Sequence, residues 1–161
     1  MNFAEDLYKE IILDHYRSKK NRRRLEPADY HQEGVNPSCG DDIELFIKTD
    51  GGIISEITYD GIGCSICTAS ANMLCEALVG QSVDFADKVL ARFKGMLTRA
   101  EEPDFPDEAA DLEAMQGVKD FPVRIKCALL AWNTLDQILN EIRNESDPAG
   151  PAPDSGDPKA P

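Results

Sequence analysis

The stretch IELFIKTDGGIISEITYDGIGC, residues 43–64, constrains this chain more than any other. Two runs rich in β-branched and aromatic residues, Ile43–Lys48 and Ile53–Tyr59, are joined through Asp50-Gly51-Gly52. That grouping predicts a β-hairpin. Asp60-Gly61-Ile62-Gly63 then breaks the second run and delivers Cys64. Cys39 sits in NPSCGDD, on the turn that leads into the first run. Pairing the strands brings the two ends of the hairpin together, so Cys39 and Cys64 become neighbours despite 24 intervening residues.

Helical patterns surround the hairpin. Phe3, Leu7, Ile11 and Tyr16 recur at helical spacing and predict an amphipathic helix over 3–20. Residues 29–36 carry a weaker strand signal. Ser65 to Val79 reads as a helix closed by Gly80, and Ser82 caps another that runs to about Leu97, with Phe85, Val89 and Phe93 along one side. Residues 107–115 suit a short helix, and Phe121-Pro122 opens a long final helix to about Arg143. The expected class is α+β, a small antiparallel sheet of about three strands packed against helices, as one domain over 1–143. Residues 144–161, acidic and proline-rich, have almost nothing to bury and are expected to be a disordered tail.

A net charge of -13 over 161 residues argues against nucleic acid or an anionic membrane as main partner, since phosphate would be repelled. The basic run Lys19, Lys20, Arg22, Arg23 and Arg24 is the local exception and reads as a solvated helix end. No apolar stretch reaches membrane-spanning length, and Met1 is followed by acids rather than by a signal sequence, so a cytoplasmic location is expected. In that setting five cysteines, 39, 64, 67, 75 and 127, point to metal or thiol chemistry rather than to a disulfide framework.

Cys127 lies near the start of the final helix, at the head of Ala128-Leu129-Leu130-Ala131-Trp132. If that helix covers the sheet, its thiol can join Cys39 and Cys64. In extended chain, residues i and i+2 face one side, so Asp41 points with Cys39 while Asp42 points away. Three thiolates and one carboxylate, Cys39, Asp41, Cys64 and Cys127, would suit tetrahedral zinc. The plainer alternative keeps Cys127 as a buried apolar cysteine and Cys39 as merely exposed. Cys67 and Cys75 follow helical spacing and read as core residues; a redox pair Cys64-x-x-Cys67 would leave Cys39 and Cys127 unexplained. Of the two histidines, His15 reads as partly buried, and neither it nor His31 is a ligand candidate.

NPSCGD, GIGCSICTASANMLCEAL and FPVRIKCALLAW, in that order, resemble the signature blocks of the SufU/IscU/NifU N-terminal superfamily of iron–sulfur cluster assembly proteins. The similarity runs from about residue 3 to 142 and is nearest the SufU branch, with an insertion in the 95–120 region and Lys126 where IscU proteins have histidine. The resemblance implies a zinc protein with sulfurtransferase-like activity, accepting persulfide sulfur on Cys39 from a SufS-type, PLP-dependent cysteine desulfurase and passing it to downstream iron–sulfur assembly proteins. It implies Asp41, Cys64 and Cys127 as the other zinc ligands, and Arg124 as a basic residue that works with the desulfurase. Two alternatives stand beside it: a scaffold holding iron or a nascent [2Fe–2S] cluster on the same residues, and a structural zinc module that only docks a partner.

Overall fold

The computed structural model describes residues 3–146. The expected tail falls largely on residues 147–161, outside the described residues. The elements are helix α1 (Phe3–Arg17), strands β1 (Tyr30–Asn36), β2 (Asp41–Asp50) and β3 (Ile53–Ile62), helices α2 (Ser65–Leu78) and α3 (Val83–Thr98), a 3₁₀ segment (Asp107–Asp120), and helix α4 (Pro122–Ser146). The strands form one antiparallel sheet in the order β1-β2-β3, so the α+β class holds. Among the described residues no helix is long and apolar enough to cross a membrane.

The β2–β3 hairpin closes as the sequence predicts. Gly51 and Gly52 both adopt positive φ, 60° and 83°, the backbone of a tight turn whose twist matches that of the strands. Ile43, Leu45 and Ile47 on β2 lie opposite Gly61, Tyr59 and Ile57 on β3. This alternation gives the sheet an apolar face that the helices cover. On that face sits α2, buried along most of its length from Cys67 to Leu78. Beyond it, Trp132 of α4 packs its ring 4.8 Å from Phe93 of α3 and donates its indole N–H to Ser70 Oγ at 3.0 Å. Ser70 in turn donates to the Ala128 carbonyl at 2.6 Å, so the polar atoms that tie α2 to α4 are satisfied inside the core.

Two expectations need correction. The basic run is not a helix end, because α1 stops at Arg17. Residues 21–23 instead lie along the free edge of β3: the Arg23 amide donates to the Tyr59 carbonyl at 2.8 Å, and the Tyr59 amide donates to the Asn21 carbonyl at 3.0 Å. A strand edge left bare invites pairing with another chain, and this strap covers it. Arg24 then lies 4.9 Å over the Phe46 ring on the far side of the sheet. Second, β3 is not broken at Asp60-Gly61 but runs to Ile62, so the hairpin extends up to the turn that carries Cys64.

β1 is the other edge, and its place is set by α4. A Cβ built on Gly34 would fall 2.1 Å from Thr134 Oγ1 and 3.3 Å from Leu130 Cδ1. Strand and helix therefore touch where only glycine fits. Gly34→Ala is expected to cost about 1–3 kcal/mol through overpacking, read as a fall of several degrees in Tm. An unchanged Tm would show slack between β1 and α4 that the packing denies.

Helix α1 contributes no fully buried residue and is held by polar links as well as by packing. His15 bonds Asn72 Nδ2 through Nδ1 and Asp111 Oδ2 through Nε2, both at 2.8 Å, and the Tyr8 hydroxyl donates to Glu113 at 2.5 Å. His15 is thereby engaged in joining α1 to α2 and to the 3₁₀ segment.

Candidate metal centre

One end of the sheet gathers the thiols. β1 and β2 are themselves a hairpin, paired out to Asn36 opposite Asp41, so Cys39 stands in the loop Pro37-Ser38-Cys39-Gly40 that joins them. The Cys39 amide donates to the Asn36 carbonyl at 3.2 Å, and Gly40 takes a positive φ of 73° to turn the chain into β2. The loop leaves Cys39 half-buried. At the matching end of β3, Cys64 caps the N-terminus of α2, its Sγ accepting the Cys67 amide at 3.4 Å. Cys127 arrives from α4, fully buried, with its Sγ 3.2 Å from Cys39 Sγ.

Asp41 completes the group. It is 0% exposed, whereas its neighbour Asp42 is exposed, as the two-residue period of a strand requires. One carboxylate oxygen, Oδ1, accepts the Cys64 amide at 2.9 Å. The other accepts a long bond, 3.4 Å, from the side-chain amide of Asn36. Among the described residues no Lys, Arg or His closes an ion pair with Asp41. A fully buried carboxylate in that position calls for a cation, because desolvation penalises an uncompensated charge heavily.

Cys39, Asp41 and Cys127 each offer one ligand atom, and the three lie within 4.8 Å of one another, a spacing that could hold a metal ion. A tetrahedral metal about 2.3 Å from each thiolate separates its sulfur ligands by a little under 4 Å, so the residues present fit one. Cys64 is outside this tightest group, its sulfur turned toward the first turn of α2, yet close enough to Cys127 for the two thiols to interact. Burial is the main reason the Cys127 thiol is pushed up, with the Cys39 and Cys64 thiols and the Asp41 charge adding to it. The same site bound to a divalent cation would reverse that preference and favour the thiolate.

Arg124, one helical turn before Cys127 and exposed, is the basic group of the site. Its guanidinium is raised above its ordinary value, first by its hydrogen bond to Cys127 and then by the charge of Cys64. Cys67 and Cys75 are both fully buried, and burial pushes both thiols up. That is the environment of cysteines that pack, not of an attacking thiolate. Sequence reasoning missed Asn36, whose amide reaches both Asp41 and, at 3.8 Å, Cys127 Sγ. A strand-end asparagine before proline looks like a turn residue, and nothing local places it beside a thiol 91 positions away.

The sequence matches the NifU-like N-terminal domain family over residues 7–128. The chain belongs to that family. It is 39% identical over 133 residues to the zinc-dependent sulfurtransferase SufU of Bacillus subtilis, covering 83% of this chain and 89% of that protein. It is 36% identical over 136 residues to the iron–sulfur cluster assembly scaffold protein IscU of Thermotoga maritima, covering 84% and 94%. The crystal structure of the iron–sulfur cluster assembly scaffold protein for the SUF system (FiSufU) of Fervidobacterium islandicum AW-1 superposes with a TM-score of 0.75 at 32% identity, covering 84% of this chain and 98% of that one. SufU and IscU proteins of iron–sulfur cluster assembly are thus the relatives of this chain, and its three-stranded sheet and helices are their fold.

Proposed function

We propose that this chain is a zinc-dependent sulfur acceptor in iron–sulfur cluster assembly, taking persulfide sulfur from a cysteine desulfurase onto Cys39. The observation that carries the reading is the pairing of a half-exposed thiol on a loop with a fully buried carboxylate two residues away that closes no ion pair among the described residues. Asp41 and Cys127 are buried, anchored ligands, whereas Cys39 is half-buried on its loop, as Cys64 is at the start of α2. Cys64 supplies the fourth donor by turning its side chain from the α2 cap. Zinc, when bound, keeps these sulfurs deprotonated while muting their nucleophilicity. The SufU relative named for zinc dependence and sulfur transfer supports the same choice.

The chemistry asked of the chain is small. The Cys39 thiolate attacks the terminal sulfur of the donor's persulfide, a new S–S bond forms on Cys39, and the donor's own S–S bond breaks with its cysteine leaving as thiolate. Arg124, on the rim beside Cys127, steadies the negative charge that passes between the two proteins. Two exposed apolar side chains, Phe121 and Val123, 61% and 64% exposed, flank the start of α4 next to Arg124. An exposed apolar pair beside a basic group suits a protein donor better than a free small molecule.

A second reading, a scaffold for a [2Fe–2S] cluster on the same residues, is favoured by the 36% identity to an IscU scaffold protein. Three cysteines and an aspartate can ligate such a cluster. Lys126, exposed beside Cys127, offers no ligand in place of a histidine, and we rank the scaffold second for that reason.

Turnover of a cysteine desulfurase, followed as alanine or sulfide release with and without this protein, tests the first reading. Stimulation by the zinc-loaded chain is expected. No stimulation, together with a stable [2Fe–2S] absorption spectrum after anaerobic reconstitution, would favour the scaffold instead. Asp41→Ala is expected to strip most of the zinc, while Asp42→Ala leaves zinc content unchanged, since Asp42 faces solvent beside Glu33. Equal zinc in both variants, by elemental analysis, would remove Asp41 from the ligand set.

A further inference from the structure

Asn36 ends β1 and is 7% exposed. Its backbone carbonyl already closes the loop by accepting the Cys39 amide, a bond that any residue would make. Its side chain takes no part in that turn. It points inward instead, where one amide nitrogen serves two acceptors on two different elements, Asp41 Oδ2 on β2 at 3.4 Å and Cys127 Sγ on α4 at 3.8 Å. Both partners are acceptors, so the NH₂ end must face them. Burying a primary amide costs free energy unless it is bonded, and the bonds found here go to two of the three residues that could hold a metal.

We infer that Asn36 is a positioning residue for the metal centre: its amide fixes Asp41 and Cys127 as one rigid pair across the β1–β2 and α4 junction. The inference rests on the metal reading above. Two features of the geometry carry it. First, Asp41 is gripped at both oxygens, Oδ1 by the Cys64 amide and Oδ2 by Asn36, so its carboxylate plane is set before any ion arrives. Second, Asn36 ties Cys127 to the very end of β1, a strand that α4 also meets at Gly34 and, at its far end, through the Tyr30–Glu145 hydrogen bond. Cys39 receives no such bond from Asn36's side chain, which leaves the loop thiol as the less constrained member of the set. A hydrogen bond donated to a ligating sulfur or carboxylate also withdraws charge from it, so the amide tunes the ligands as well as aiming them.

Cobalt(II) serves as the probe, because cobalt–thiolate sites absorb visible and near-ultraviolet light and zinc sites do not. Full-length wild type, Asn36→Ala, Asn36→Ser and Asn36→Leu are stripped of metal, checked by thermal melting, and titrated with cobalt(II) against a competing chelator. Asn36→Leu keeps most of the volume without a donor, and Asn36→Ser keeps one short donor. The expected result is metal-free melting close to wild type, cobalt affinity lowered about 10–100-fold in the Ala and Leu variants, a smaller loss for Ser, and a shifted thiolate-to-cobalt band in all three. Wild-type affinity and an unshifted band in whichever of Ala and Leu melts like wild type would overturn the inference while leaving the metal reading intact. A wild-type protein that gives no cobalt–thiolate absorption would instead overturn the metal reading, and the inference with it.

Discussion

Stripping bound metal from the purified protein with a strong chelator is expected to lower its melting temperature by about ten degrees, without loss of the helical signal at low temperature. The size follows from linkage. A ligand present at a thousand times its dissociation constant stabilises the native state by about 4 kcal/mol, and a domain of this size loses roughly 2–4 °C per kcal/mol. The structural cause is local. Asp41 is fully buried, and the Cys39 and Cys127 sulfurs stand 3.2 Å apart, so the stripped site holds a carboxylate and crowded thiols with no cation among them. An ion held by Cys39, Asp41 and Cys127, with Cys64 as the proposed fourth ligand, would also tie together three segments remote in sequence, the β1–β2 loop, the start of α2 and the first turns of α4. The main core lies farther along α2 and α4, around Ser70, Trp132 and Phe93, and does not depend on it. Loss of metal confirmed by elemental analysis with an unchanged melt would contradict this account.

Cys39→Ser is expected to abolish sulfur acceptance and to reduce desulfurase stimulation to background. A serine hydroxyl at the same place on the loop is not ionised near neutral pH and is far weaker as a nucleophile toward sulfur. The buried anchors Asp41 and Cys127 are untouched, so the variant still folds and melts well above room temperature. Cys67→Ala and Cys75→Ala, by contrast, are expected to lose core packing and keep acceptance: Cys67 lies close to Asp41 and Cys64 but is fully buried, and Cys75 is buried two turns farther along α2. Full stimulation by Cys39→Ser would move the acceptor to another thiol.

The hairpin and the helices that follow it were legible in the sequence for physical reasons. Asp50-Gly51-Gly52 can supply the positive φ values of a tight turn, and Ser82 caps α3 by accepting the Phe85 amide at 3.0 Å. The separation of Asp41 from Asp42 followed from strand geometry alone. β1 was faint because it is an edge strand whose residues alternate between exposed and half-covered, ending in a single buried one, Asn36. With β1 faint, Cys39 read as a turn before a hairpin rather than as the loop of a hairpin in its own right. The basic run was misread because its role is set by the edge of β3, which no local pattern announces. The 3₁₀ segment runs to Asp120, past the expected stop near Met115, and carries the chain to Phe121 at the mouth of the site. Asn36 was invisible for the same reason as the strap: its partners come from β2 and α4, which the packing of α4 on β1, close at Gly34, brings together. The three signature blocks named the thiols. They did not show that Cys64 stands back while Cys39, Asp41 and Cys127 crowd together.

The most direct measurement is peptide mass spectrometry of the wild-type protein after incubation with a cysteine desulfurase and cysteine, under non-reducing conditions. One added sulfur, about 32 Da, on the peptide that contains Cys39 is the predicted result, as attack by its thiolate on a persulfide requires. The peptides carrying Cys64, Cys67, Cys75 and Cys127 are expected to remain unmodified. A wild-type chain that stays unmodified while the desulfurase turns over, or that carries the added sulfur on Cys127 and not on Cys39, would contradict the account.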